Sequence, residues 1–351
     1  MKNVIIGVVV LALLGGGVAF YIQKKHHDKK KEQEARRKPS DPNAFKVALV
    51  TPGPFNEGGW NQNAVKALDK IAEAMKAETK KFAAKDDESA HTNFRKFAEV
   101  FKANVVIGHA SEYNDAKTAE IAAAHPGTTF LISGSEKSEK NVCGVRFVLE
   151  DATYVLGQLA ASMSKSNVLG CVGPKPLPVI ASTFEAFEQG AKSIKPDIKV
   201  LVKWTEDFTD IGRAKNATLQ LIDVVKADFI FQNADSAGQG VFEAVQQSKD
   251  KGVYAFGSND DQALTKKEFD GVILASAALD IPGAYLKICT EIQEKKFENK
   301  TQFIGIADGM VSVAYNKKLE DKIPADVRKK LDETVEKLKK GEQLYKRKEL
   351  K

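Results

Sequence analysis

Only three cysteines occur in the 351 residues, and none forms a Cys-x-x-Cys pair, so the chain has no disulfide framework or cysteine-based metal motif. Cys143 and Cys171 lie in apolar, strand-like runs and Cys289 in a helical one, and all three read as buried free thiols. No Walker A sequence and no GxGxxG appears. Gly53-Pro54 and Gly58-Gly59 fit neither pattern, so nucleotide-phosphate binding of the usual kinds is unsupported. No GxSxG is present, and His91, His109 and His125 have no triad partners by spacing, so nothing points to an enzyme. No cofactor or metal is implied. Long apolar runs are scarce too. The segment 3–22 is nearly uncharged and long enough to span a bilayer. No Cys follows it, which excludes a lipoprotein anchor at that point.

Charge is concentrated at the ends. The formal net charge is +6, but residues 24–38 hold eight Lys/Arg against three acids and residues 317–351 hold thirteen against eight. The body between them is mildly acidic, which argues against nucleic acid as a partner. The segment 1–23 reads as an uncleaved membrane anchor, with a cleaved signal peptide ending near Gly17-Val18-Ala19 as the alternative. An anchor would hold the body at the cell membrane on the extracytoplasmic side. The basic block after it favours the opposite orientation, and both stay open. Residues 24–43 read as a charged tether ending in Pro39-Ser40-Asp41-Pro42.

From Ala44 onward, strand-like runs alternate with helical patterns. Strands are expected at 46–50, 104–108, 128–132, 142–148, 168–172, 198–204, 228–232, 253–257 and 272–276, with helices at 61–77, 90–101, 152–163, 178–194, 210–225 and 238–249. Such alternation predicts doubly wound parallel sheets of the α/β class, and nine strands over about 270 residues divide better into two sheets than one. After Pro324, Val327, Leu331, Val335 and Leu338 are spaced to dock one face of a charged helix.

The stretch from Val47 to Leu68 organises the functional reading. An apolar run ends in a Pro/Gly loop, and a helical pattern follows. Ligands of open parallel sheets sit beyond the carboxyl ends of the strands, where such loops gather. Phe55, Asn56, Trp60 and Asn61 place two aromatics and two amides there, a set suited to a flat heterocycle with polar edges. Four further strand ends carry polar or aromatic groups. They are Ser133-Gly134, Trp204 with Phe208, Asn233 with Asp235, and Ser258 with Asp260 and Asp261. Taken singly, Trp60 could pack under its loop, Asn61 could cap the helix, and each Asp could be an N-cap or turn residue. Asp280-Ile281-Pro282-Gly283 reads as a crossover strand with Asp280 near the cleft, a plain helix start being equally compatible.

These residues resemble the basic membrane protein family of substrate-binding proteins, best known for purine-nucleoside receptors of ABC importers. The likeness runs from about Lys46 to Lys346. It is carried by Trp60-Asn61-Gln62, VRFVLEDATYVLGQLAA at 145–161, GCVGPKPLPVIASTFEAFEQGAKSIKPDIKV at 170–200, ADFIFQNADSAGQGVFEA at 227–244 and the tail IPADVRKKLDETVEKLKKGE. The resemblance implies a type I periplasmic-binding-protein fold, two lobes joined by crossover strands and closing on a ligand. Lobe 1 would take residues 44–148 plus about 281–303, lobe 2 residues 149–280 plus about 304–316, with 317–351 packed on the body. It implies no catalysis, an aromatic sandwich around a purine, and ABC permease and ATPase subunits as partners. Matching positions are Asn56, Trp60 and Asn61 in the first loop, and Trp204 or Phe208, Asp235, and Asp260 or Asp261 in the second lobe. Two departures leave base and nucleoside both open. Asn56-Glu57-Gly58-Gly59 stands where nucleoside receptors usually have paired acids. Ser276-Ala277-Ala278-Leu279-Asp280 stands where they often carry a ribose-binding Lys. The expected function is a membrane-tethered solute-binding protein for a purine nucleoside or base. A ligand sensor or surface-interaction protein of the same fold, without transport, is the alternative.

Overall fold

The apolar runs assemble into two six-stranded sheets, seen in a computed structural model that describes residues 43–349 apart from Gly58. The apolar segment 3–22 and the basic block 24–38 lie outside the described residues. Among the described residues no helix is long and apolar enough to cross a membrane. In chain order the strands are β1 (Lys46–Thr51), β2 (Glu78–Ala83), β3 (Val105–Gly108), β4 (Thr129–Ser133), β5 (Val142–Phe147), β6 (Val168–Gly173), β7 (Lys199–Trp204), β8 (Phe229–Gln232), β9 (Tyr254–Asn259), β10 (Ile273–Leu279), β11 (Gln302–Ile304) and β12 (Val311–Tyr315).

The first sheet has the order β2-β1-β3-β4-β5-β11, all parallel. The second repeats that order as β7-β6-β8-β9-β10-β12, parallel except for β12, which runs antiparallel to β10. The inner strands are buried along nearly their whole length, as parallel strands covered on both faces must be. All nine expected strands are present. The three that sequence pattern missed are edge or short strands. β2, ETKKFA, has its two central lysines in solvent, as an edge strand defended against further pairing does.

The chain crosses between the sheets three times, after β5, after β10 and after β11. The second crossing is not the expected strand. Asp280 accepts a hydrogen bond from the Gly283 amide (2.8 Å) and starts the helix Ile281–Gln293, which packs on Trp60–Met75 behind the first sheet. Behind the second sheet, helices Glu150–Met163 and Pro178–Ile194 touch backbone to backbone. A β-carbon on Gly157 would stand 2.0 Å from the Phe187 carbonyl oxygen, and one on Gly190 would stand 1.9 Å from that of Tyr154. The last helix, Ala325–Lys339, buries Leu331 and Leu338 and half-buries Val327 and Val335. Beyond it Tyr345 is buried, its hydroxyl donating to Asp151 (2.6 Å). The other oxygen of Asp151 accepts from the amide of Ile306 at the third crossing (3.0 Å). Tyr345 is thus tied, through Asp151, to a segment that joins the two sheets.

Candidate binding cleft

Strand order decides where a site can form. In each sheet the order reverses direction between the first strand and its neighbour, β1/β3 in one and β6/β8 in the other. Loops leaving the carboxyl ends there open a crevice. Loops from both switch points line a single cleft of about 500 Å³, within the range of small-molecule sites.

The first wall is aromatic and tightly fixed. Trp60 begins the helix Trp60–Met75 and stacks on His109, just past β3, with ring centroids 4.1 Å apart and planes 18° apart. Phe147 meets the indole edge-on at 5.8 Å. The indole N–H donates to the His109 carbonyl (3.2 Å), so this ring offers a face and not a donor. His109 is fully buried. Its Nε2 lies 3.2 Å from the Trp60 carbonyl, which only accepts, so Nε2 carries the proton. Nδ1 then accepts from the hydroxyls of Tyr285 (2.9 Å) and Ser133 (3.2 Å). Burial pushes the imidazole down to about 3, and it stays neutral.

Two carboxylates meet at the start of the Trp60–Met75 helix, where the first amides have no partner within the helix. Glu57 accepts from the Asn61 and Gln62 amides, and Asp235 accepts from the Trp60 amide. Asn61 does not cap this helix; Gly59 holds the cap position, and the Asn61 side chain donates to Glu57 (2.6 Å). Helix amides favour both anions, yet burial and the nearby Asp235 charge push Glu57 up to about 7. Burial pushes Asp235 up to about 6. One oxygen of Asp235 and the side-chain oxygen of Asn61 are buried without a hydrogen-bond partner.

The second wall is polar. Asn233, past β8, donates to Thr183 (3.2 Å) and accepts from Asn259 at the end of β9 (3.3 Å). Asp235 and Asn259 hold left-handed backbone, φ 53° and 64°, a conformation that non-glycine residues adopt at a cost and often at functional loops. Phe208 supplies the aromatic group of this wall. The walls touch where the Ser236 hydroxyl donates to the Glu57 carbonyl (3.0 Å). Gly59 allows the approach, since a β-carbon there would stand 2.1 Å from an Asp235 oxygen.

Of the residues expected at the cleft, Trp60, Asn61, Ser133, Gly134, Phe208, Asn233 and Asp235 line it. The others lie elsewhere. Phe55 packs on the core under the Lys81 ammonium (5.0 Å), and Asn56 is exposed on the loop. Trp204, the last residue of edge strand β7, packs on Phe184 with centroids 5.3 Å apart. Ser258 and Asp260 line a small polar recess beside Asp235, Asp261 caps the short helix Gln262–Thr265, and Asp280 caps Ile281–Gln293. Sequence reasoning passed over Glu57, His109, Arg146 and Asn259, which also line the cleft. His109 had a usable signal, because it follows a predicted strand as the counted loops do. Arg146 had none, being set in an apolar strand where Glu136 and Glu150 neutralise it.

Residues 44–348 match the family model described as ABC transporter substrate-binding protein PnrA-like. A purine-binding protein of Brucella abortus (strain 2308) is 28% identical over 303 residues, spanning 85% of this chain and 82% of that one. The ABC transporter nucleoside-binding protein BmpA of Lactococcus lactis subsp. cremoris is 27% identical over 273 residues, spanning 73% of this chain and 77% of its own length. Among solved structures, an ABC transporter solute-binding protein from Conexibacter woesei superposes with a TM-score of 0.69 at 23% identity, over 87% of this chain and 99% of that one. That likeness is one of fold.

Proposed function

Because the chain belongs to the PnrA-like family of ABC transporter substrate-binding proteins, we propose that it captures a purine, as base or nucleoside, in the cleft and hands it to an ABC importer. The family is one of solute-binding proteins, not enzymes. The observation that carries the purine reading is the Trp60 ring. It lines the cleft, His109 backs one face, and its N–H is already engaged, so the other face is left for a flat ligand. Stacking a base on an aromatic contributes roughly 1–3 kcal/mol in nucleic-acid systems. The unpartnered oxygens of Asn61 and Asp235 supply acceptors for ring N–H or amino groups. Phe208 would cover the base from the second wall, and Asn233 would read its edge. Two relatives named for purine or nucleoside binding support this choice of ligand.

Transport needs permease and ATPase subunits from other chains. The segment 3–22 would hold the protein at the extracytoplasmic face of the membrane, and protease accessibility in intact cells tests that placement. The ligand is tested by a thermal-shift screen of purine bases, nucleosides, sugars and amino acids. A ligand at a hundred times its dissociation constant adds about 2.7 kcal/mol of stability. A rise with purines is the expected result. A rise confined to sugars or amino acids, or none at all, overturns the purine reading.

A further inference from the structure

We propose that Glu57 is a proton-sensitive positioning residue that sets which way the Asn61 amide faces, and so whether the cleft asks its ligand for a donor or an acceptor. The inference takes its choice of probes from the purine reading; its geometry stands apart from it.

Glu57 grips Asn61 twice. One carboxylate oxygen accepts from the Asn61 backbone N–H and the other accepts from side-chain Nδ2 (2.6 Å). An ionised carboxylate can only accept, so it holds Nδ2 toward itself and turns Oδ1 away. Asn61 is 4% exposed, it lines the cleft, and its Oδ1 has no partner. A buried acceptor without a donor is costly, and a ligand N–H placed there removes that cost. Protonation reverses the arrangement. The oxygen facing the backbone N–H stays an acceptor, so the proton goes to the oxygen facing Nδ2. Two donors then confront each other. A half-turn of the amide about its broad, roughly two-fold terminal torsion restores the bond, with Oδ1 toward Glu57 and Nδ2 toward the cleft. The site then asks for an acceptor.

The surroundings place this switch near neutrality. Burial raises Glu57, and Asp235 facing it from the second wall raises it further, while the Asn61 and Gln62 amides of the helix start lower it, leaving it at about 7. Asp235 is itself steadied by the Trp60 amide and the Lys266 charge. Glu112 and the buried, acid-paired Arg146 complete the charged groups lining the cleft. Lys81 lies over Phe55 on the same loop.

The test has two arms, both on the full chain. The first follows the Asn61 side-chain amide by NMR in ligand-free protein, in wild type and Glu57→Gln. A Gln at this position can donate from its own amide and holds Asn61 in the reversed orientation at every pH. The Asn61 signals should move with a midpoint near that of Glu57 in wild type. In Glu57→Gln they should stay at the low-pH position. The second arm measures dissociation constants for purine, adenine, hypoxanthine and guanine at about pH 6 and about pH 8, either side of the Glu57 value. Wild type should sort them into two groups with opposite pH slopes. Ligands giving a hydrogen to Asn61 should bind about tenfold tighter at the higher pH, one hydrogen bond's worth, and Glu57→Gln should flatten both slopes. An Asn61 amide that ignores the Glu57 titration, or pH slopes that survive in Glu57→Gln, overturns the proposal. If no purine binds, the purine reading fails and the NMR arm alone decides this one. If Glu57→Gln does not fold, the wild-type amide titration decides.

Discussion

The two walls of the cleft are built in opposite ways. The first is a fixed aromatic surface. Trp60 is held by a stack, an edge contact and its own N–H, and the imidazole behind it has both nitrogens engaged. Tyr285 braces that imidazole from the helix after the second crossing, so three separated parts of the sequence fix one ring. The second wall is a polar chain, Asn259 to Asn233 to the Thr183 hydroxyl, and two of this wall's residues, Asn259 and Asp235, hold left-handed backbone. The first wall can set the plane of a flat ligand before it arrives. The second, together with the Glu57–Asn61 pair where the walls join, can discriminate between its edges. Pre-organising one partner and leaving selectivity to polar groups on the other lowers the ordering cost of binding.

The largest expected effect tests the first wall. Trp60→Ala should weaken purine binding tenfold or more by calorimetry, the loss of roughly 1–3 kcal/mol of stacking. Phe208→Ala should cost less, because among the described residues no aromatic ring stacks behind it and only the Lys175 ammonium lies over it (5.9 Å); equal losses would erase the distinction between the walls. Asp235→Asn tests the join. It removes the charge that raises Glu57, so the Glu57 midpoint followed by carboxyl NMR should drop below about 7. The same change affects stability. Glu57 and Asp235 are raised above their unfolded values, so their contribution is full at low pH and is lost as pH rises through about 6 and about 7. The ligand-free variant should therefore lose less stability than wild type across that window. Buried neutral His109 has the opposite slope, losing stability as pH falls below the ordinary histidine value, and it cancels in the comparison.

A smaller effect is expected from Tyr285→Phe. It keeps the ring packing but removes one hydroxyl from His109, so denaturation should report a loss of about 1 kcal/mol, with affinity little changed. Asp280→Ala should be smallest for binding. It should leave the dissociation constant unchanged while costing about 1 kcal/mol of stability through loss of the N-cap. The ion pair of Asp280 with Lys70, at 3.9 Å and half exposed, adds little. A changed dissociation constant would bring the second crossing into the ligand site.

Much of the fold was legible because buried parallel strands announce themselves as apolar runs. β2 was not, since an edge strand with lysines at its centre carries no such run. The site was legible only as a set of strand ends, because the sequence shows where strands stop but not their order in the sheet. That order separates the two tryptophans. Trp60 opens its helix nine residues past β1, at a switch point, and reaches the cleft. Trp204 is still part of β7, an edge strand, and its side chain is committed to Phe184 on the covering helix. Glu57 was visible as a loop acid, but its role depends on the loop folding back onto a residue four positions on. Asp235 and Asp261 look alike in sequence; one reaches across to the partner wall and the other caps the short helix that follows it.

Gly59 has a consequence for timing. The contacts joining the walls, Ser236 to the Glu57 carbonyl and the Trp60 amide to Asp235, flank a backbone position where an Asp235 oxygen occupies the space of a side chain. If a ligand leaves by the parting of the walls, these contacts must break first, and such a latch would act on the lifetime of the loaded protein more than on its encounter rate. For a carrier that must hold its cargo until it meets a transporter and then let go, a single methyl group at position 59 would be enough to change the waiting time.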